Sequence, residues 1–321
     1  MGITNHTFRM KLNRRLIAVL TGAIIGWACT YLAVYVYKDY AGGLFLWLPF
    51  AMGITTVLIG GATKNFTSRN IWELTGITVI FYCLGLILFA WEGLICIIMV
   101  APLGYLCSVI GGFFAYYALN RKGGKNTTAI LIIVIASVPA LMAYEDKYEA
   151  SEDLQSVTTS VIINASKDQV WKNVIAFSEL DEPDEFIFRT GIAYPVKATI
   201  DGRGVGAIRR CTFSTGSFVE PITTWNEPDL LAFSVQEQPE PLKEVSFYDV
   251  RPLHLHGYWV SKKGQFKLTE LPDGKTLLEG TTWYYNKVRP SFYWKIWSNH
   301  IVHKIHRRVL SHIRKTSEKS E

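Results

Sequence analysis

The chain has 321 residues and a formal net charge of +6, with 33 lysines and arginines against 27 aspartates and glutamates. Hydrophobic residues make up 49% of it but crowd into the N-terminal half, so the chain divides into an apolar region and a region of ordinary charge density. Five cysteines without a CxxC pair support neither a disulfide scaffold nor a zinc ribbon. Four of them, Cys29, Cys83, Cys96 and Cys107, fall in apolar runs, where a thiol acts as a small hydrophobe.

In chain order, a basic tail at 1–14 precedes five apolar runs, at 15–37, 43–62, 74–91, 94–119 and 127–144, within a region 15–144. Each is close to the roughly 20 residues that a helix needs to cross a bilayer. The first run is too long for a cleavable leader and lacks a small-residue cleavage site. The fourth carries Pro102, which predicts a kink or tilt. Nine cations, Arg9, Lys11, Arg14, Arg15, Lys64, Arg69, Arg121, Lys122 and Lys125, fall on one side of these runs, and only Lys38 and Lys147 on the other. This asymmetry places the N-terminus in the cytoplasm and, after five spans, the C-terminal region outside it; in a bacterium that is the periplasm. Glu92, in a Trp-Glu-Gly turn between the third and fourth runs, reads either as an interfacial turn residue or as a buried acid. Gly60-Gly61 and Gly111-Gly112 suit close helix packing.

An acidic linker at 145–155 leads to the second region, 156–321. The β-branched stretch 156–165 predicts a strand. Ser166 or Lys167-Asp168 then caps a helix whose apolar face is Val170, Trp171, Val174, Ile175 and Phe177, and a short helix follows near 182–189. Six strands are expected at 194–201, 206–214, 217–225, 230–236, 258–271 and 276–286, separated by Asp-Gly-Arg-Gly, Asn-Glu-Pro-Asp and Pro-Asp-Gly turns. The last element, SFYWKIWSNHIVHKIHRRVLSHIRK at 291–315, predicts a long helix with Trp294, Trp297, Ile301, Ile305 and Val309 on one face, widened by Val302 and Ile313.

The stretches INASKDQVWKNVIAFSEL at 163–180, GVGAIRRCTF at 204–213 and GQFKLTELPDGKTLLEGTTWYY at 264–285, in this element order, resemble the START / Bet v 1-like superfamily, which includes polyketide cyclases and lipid-transfer proteins. The combination with a membrane region is similar to a group of bacterial proteins of unassigned role. The resemblance implies a membrane α-helical region followed by an α+β helix-grip domain, a curved antiparallel sheet around a long C-terminal helix with an apolar cavity between them.

Candidate ligand contacts are Phe213, Trp225, Trp259, Trp283, Tyr285, Trp297 and Ile301, with Arg210 and Glu220 as polar groups on adjacent strands. Arg209 shares the strand of Arg210, and a cross-strand ion pair to Glu220 is the structural alternative. Glu279 shares strand parity with Leu277, Thr281, Trp283 and Tyr285; if that face points inward it is a desolvated acid-base candidate, with His254 and His256 as others. His254, His256 and His303 are the residues that a metal would take, although His300, His303 and His306 advance by three and fan out around the helix. The sequence carries no cofactor motif: Gly202-Arg-Gly204-Val-Gly206 lies between two strands, where a dinucleotide loop would open a helix.

Nine lysines and arginines from Lys287 to Lys319 face one acid, Glu318; Lys304, Arg307 and Arg308 are candidates for a membrane surface, and the topology argues against nucleic acid as the partner. Three functions compete. One is binding or transfer of a lipid or isoprenoid-like ligand, with membrane lipids and a hydrophobic small molecule as partners. Another is a cyclase- or dehydratase-like lyase using the same cavity. The third is a membrane sensor or scaffold whose second region has no pocket.

Overall fold

The computed structural model describes residues 2–38, 40–61, 66–120, 126–145, 147, 153–243 and 257–319. It divides into two compact units, one helical and one α+β.

The helical unit contains α1 (Gly2–Tyr31), α2 (Leu48–Gly60), α3 (Ser68–Leu88), α4 (Leu94–Asn120) and α5 (Thr127–Glu145), with π-helical turns at Leu32–Tyr37 and Gly43–Trp47. Among the described residues, five segments are long and apolar enough to cross a membrane: Arg14–Tyr37, Gly43–Gly60, Ser68–Leu88, Leu94–Asn120 and Thr128–Glu145. The helix α1 already begins at Gly2, so the expected basic tail forms its first turns. Glu145, expected to open the linker, instead closes α5 and accepts the Gly43 N–H at 2.7 Å. Glu92 is half-buried in the turn between α3 and α4, beside Trp91, whose ring meets Tyr31, Tyr35 and Phe89.

The helix α2 is buried along nearly its whole length. Glycine makes this possible. A Cβ on Gly53 would sit 1.8 Å from the Ser108 carbonyl oxygen, and one on Gly111 would sit 2.1 Å from that of Phe50, so α2 and α4 meet backbone to backbone. Gly60 and Gly112 face side chains instead, those of Leu74 and Ile71.

The α+β unit is one seven-stranded antiparallel sheet in the order β1-β7-β6-β5-β4-β3-β2. Its strands are β1 (Gln155–Ile163), β2 (Pro195–Asp201), β3 (Ile208–Phe213), β4 (Gly216–Asn226), β5 (Leu230–Ser234), β6 (Trp259–Glu270) and β7 (Thr276–Asn286). The first strand pairs with the last, so both ends of the unit share one sheet edge. Two helices, α6 (Lys167–Ile175) and α7 (Phe186–Arg189), connect β1 to β2; Gln169 accepts the Ser166 N–H at the start of α6. The long helix α8 (Ser291–Ser317) crosses the concave face.

One core joins both layers. Val309, Leu310 and Ile313 of α8 and Val170, Trp171 and Val174 of α6 pack on Ile163, Ile222, Leu231, Leu268 and Leu278 of the sheet. The buried stripe of α8 is Ser298, Val302, Val309, Leu310, Ile313 and Ser317. Of the expected stripe it keeps Val302, Val309 and Ile313, and it extends away from the tryptophans to take in Ser298, Leu310 and Ser317. Trp294, Trp297, Ile301 and Ile305 are consequently only half-buried.

Gly53→Ala is expected to destabilise the helical unit by about 1–3 kcal/mol, because backbone cannot yield to the new methyl as a side chain could. Gly76→Ala, whose Cβ would meet only the Tyr105 ring at 3.3 Å, is expected to change little. Thermal unfolding of the detergent-solubilised variants separates the two.

Candidate functional site

The candidate site is the concave interior of the sheet. A two-residue turn at 214–215 pairs Phe213 with Gly216, and the same register sets Arg209 opposite Glu220. Strand alternation turns Arg209, Cys211 and Phe213 inward and Arg210 outward. Arg210 is exposed, so the inward arginine is Arg209 and the expectation for Arg210 is corrected.

Arg209 and Glu220 are 2% and 6% exposed, and an Arg209 Nη1–H donates to Glu220 Oε2. Three rings surround the guanidinium carbon, Phe177 at 5.6 Å, Phe233 at 5.4 Å and Phe266 at 5.5 Å. A desolvated cation gains from such ring faces. Burial pushes the Glu220 carboxyl above its usual range, against the pull of the guanidinium. Burial also drives the Cys211 thiol up to about 12, so it stays protonated. Arg209 Nε is buried and has no hydrogen-bond acceptor among the described residues, and neither has Trp171 Nε1.

A second polar cluster ties α8 to the sheet. His303 Nδ1 and His306 Nδ1 lie 2.7 and 3.1 Å from Thr159 Oγ1, and His306 Nε2 lies 2.8 Å from Thr282 Oγ1. Thr159 has one hydroxyl proton, so at most one of the two Nδ1 atoms accepts from it. Nearer the start of the helix, Tyr284 donates its hydroxyl to Asn299 and stacks on Trp259 with ring centroids 5.3 Å apart.

The structure separates the remaining expected site residues. Phe213 packs edge-on to Phe218 and Trp225 edge-on to Trp171, both against the main core. Trp297 and Ile301 line the half-buried edge of α8. In β7, Leu278 joins the main core, Thr282 meets His306 and Tyr284 meets Val302, so this parity faces α8. Glu279, Trp283 and Tyr285 therefore lie on the convex face. There Lys263 covers Trp283 at 4.8 Å and Lys262 covers Tyr285 at 4.9 Å, while Glu279 stands opposite Lys267. The expectation that Glu279 is an interior acid is overturned by this register. His254 and His256 lie outside the described residues. Among the described residues no group of three or more metal-ligating side chains converges, and His303 is engaged with Thr159.

Arg308, expected at a membrane surface, donates to the carbonyls of Pro195 and Asp181 and lies over the Tyr194 ring. Lys304 is half-buried and Arg307 exposed. A separate groove of about 280 Å³ opens beside Tyr194, lined by Phe188, Arg189, Ile192, Ser214 and Lys243.

His306 gives a pH signature. Burial, reinforced by His303, lowers its ring from the usual 6.5 to about 4. Between those values the unfolded chain binds a proton that the folded chain does not, so stability falls as pH drops from 6.5 towards 4. The size is on the order of 2–3 kcal/mol, from about 1.4 kcal/mol per pH unit less an allowance for the ring's partial exposure. His306→Gln, which keeps hydrogen-bonding capacity without titrating here, is expected to flatten that part of the stability–pH curve. Thermal unfolding of both proteins at stepped pH measures the difference.

No family model matches this chain, and no curated protein does. Solved structures with a helix-grip arrangement do resemble it over about half its length. A protein from Nitrosospira multiformis is 19% identical with a TM-score of 0.32, covering 50% of this chain and 94% of its own. The Zhui aromatase/cyclase of a Streptomyces species is 13% identical with a TM-score of 0.35, covering 52% and 95%. Norcoclaurine synthase from Thalictrum flavum is 14% identical with a TM-score of 0.34, covering 54% and 99%. Likeness at this level transfers no site residue, and the assignment as an α+β helix-grip unit rests on its own strand order and on α8 across the concave face.

Proposed function

We propose that this chain is a membrane-tethered module that binds or transfers a hydrophobic ligand, of lipid or isoprenoid type, in the concave interior of the α+β unit, with α8 as the lid. The observation that supports it is the Arg209–Glu220 pair. Replacing an ion pair this deep with packed apolar side chains is often neutral or stabilising, so stability alone is a poor reason for its presence. Beside the pair, Arg209 Nε–H has no acceptor among the described residues and lies inside a wall of phenylalanine rings. A molecule with an apolar body and one acceptor oxygen satisfies both features.

The half-buried edge of α8, with Trp297 and Ile301, supplies the side at which the lid has least to give up on opening. The five apolar segments hold the unit at a bilayer, where such ligands concentrate. The excess of cations on one side of those segments favours a cytoplasmic N-terminus and an extracytoplasmic α+β unit.

The test uses the full chain purified in mild detergent, with solvent extraction and mass spectrometry of what it carries. The wild type is expected to hold a stoichiometric hydrophobic molecule. Arg209→Met alone strands Glu220 and is expected to cost about 3–5 kcal/mol. Arg209→Met with Glu220→Leu is expected to regain wild-type stability and to lose the molecule. A wild type that carries nothing, or a stable double variant that keeps its cargo, refutes this reading.

A further inference from the structure

We infer that the first turns of α8, carrying Phe292 and Ile296, dock into an anionic lipid surface. Phe292 is 65% exposed and Ile296 66%. Standing four residues apart, they share one helix face. Among the described residues, the other exposed large apolar side chains of the α+β unit, Leu154, Ile162, Phe186 and Val205, are far apart in sequence and form no such pair within one element.

The tip is held firmly behind that face. The Trp294 indole N–H donates to the Arg289 carbonyl, and Tyr293 packs edge-on to Trp294 at 5.5 Å. Aromatic rings around an apolar point suit the interface of a bilayer. The sequence that leads into and through the tip is basic. Lys287, Arg289 and Lys295 lie within five residues of Phe292 in sequence, and no acid occurs between Glu279 and Glu318, whereas the linker that leads to β1 carries Asp146, Glu149, Glu152 and Asp153. Asp153, near the adjoining start of β1, is engaged by the Gln155 side chain.

Chain connectivity favours lipid as the occupant. Gln155 pairs with Tyr284, so β1 starts beside the end of β7, and α8 starts five residues after Asn286. The tip therefore lies at the end of the sheet where the chain arrives from α5. Nine residues separate Glu145 from Gln155, at most about 33 Å of extended chain. This assignment moves the membrane contact from Arg308, whose guanidinium is taken up by Pro195, Asp181 and Tyr194, to the other end of the helix. It does not depend on whether the interior holds a ligand.

The experiment places the photocrosslinker p-benzoylphenylalanine at 292, 296 or 307 in the full chain. Each protein is reconstituted in nanodiscs of mixed phosphatidylglycerol and phosphatidylethanolamine, or of phosphatidylcholine alone. Position 307 is an exposed control on the same helix. Lipid adducts are expected at 292 and 296, several-fold above 307, and should drop several-fold in phosphatidylcholine. Crosslinks from 292 or 296 to a second copy, lipid adducts no higher than at 307, or yields indifferent to anionic lipid each overturn the proposal.

Discussion

The concave face of a strongly curved antiparallel sheet has to be covered, and α8 is the long element that covers it. Its cover is of two kinds. Towards its C-terminus, Val309, Leu310 and Ile313 enter the main core beside α6, and apolar burial holds the helix down. In its middle, the fit is made by hydrogen bonds from His303 and His306 to the threonines of β1 and β7. Apolar packing tolerates small shifts, whereas hydrogen bonds fix position. The histidine cluster thus sets where the helix lies, and the core sets how strongly it stays.

The Arg209–Glu220 pair constrains the sheet in a similar way. A buried charge without its partner costs several kcal/mol, so β3 and β4 are locked to the register that brings the two together. The phenylalanine rings around the guanidinium come from the segment after α6, from β5 and from β6. One cation therefore sits at the meeting point of four parts of the chain. The pair thus helps to specify the fold whether or not it anchors a ligand, and only a double replacement separates the two.

Much of the fold was legible in the sequence because turns punctuate it. The Ser-Thr turn at 214–215 and the Pro-Asp-Gly turn at 272–274 bound strands whose edges lie within a few residues of expectation. Which face points inward was less legible. In β7, Trp283 and Tyr285 suggest a core face, yet the inward residues are Leu278, Gly280, Thr282 and Tyr284. The aromatic rings outside are sheltered by Lys262 and Lys263, whose stems cover them and whose charges face the ring quadrupoles. A one-residue change of parity exchanges the whole face, and with it the candidate acid Glu279. The stripe on α8 was legible only in part, through Val302, Val309 and Ile313, for a related reason. A search for apolar periodicity passes over Ser298, His306 and Ser317, whose place at the interface comes from polar partners or small size. The cross-strand ion pair to Glu220 was legible, and the two-residue turn, which fixes the register, assigns it to Arg209 and not to Arg210.

The two ends of α8 are made for different surroundings. The C-terminal half follows a globular pattern, with a continuous buried stripe from Val309 to Ser317 and cations facing outward. The N-terminal turns reverse it, with Phe292 and Ile296 outward. A helix solvated on its outer face along its whole length has no reason to place its most exposed apolar side chains at one end, next to the point where the chain arrives from a segment long and apolar enough to cross a membrane. The asymmetry makes sense if only the C-terminal part is built for water. The lid over the interior and the contact with lipid would then be one rigid rod of 27 residues. Seating its tip in the bilayer would bear directly on the half-buried edge at Trp297 and Ile301, one and two turns further along.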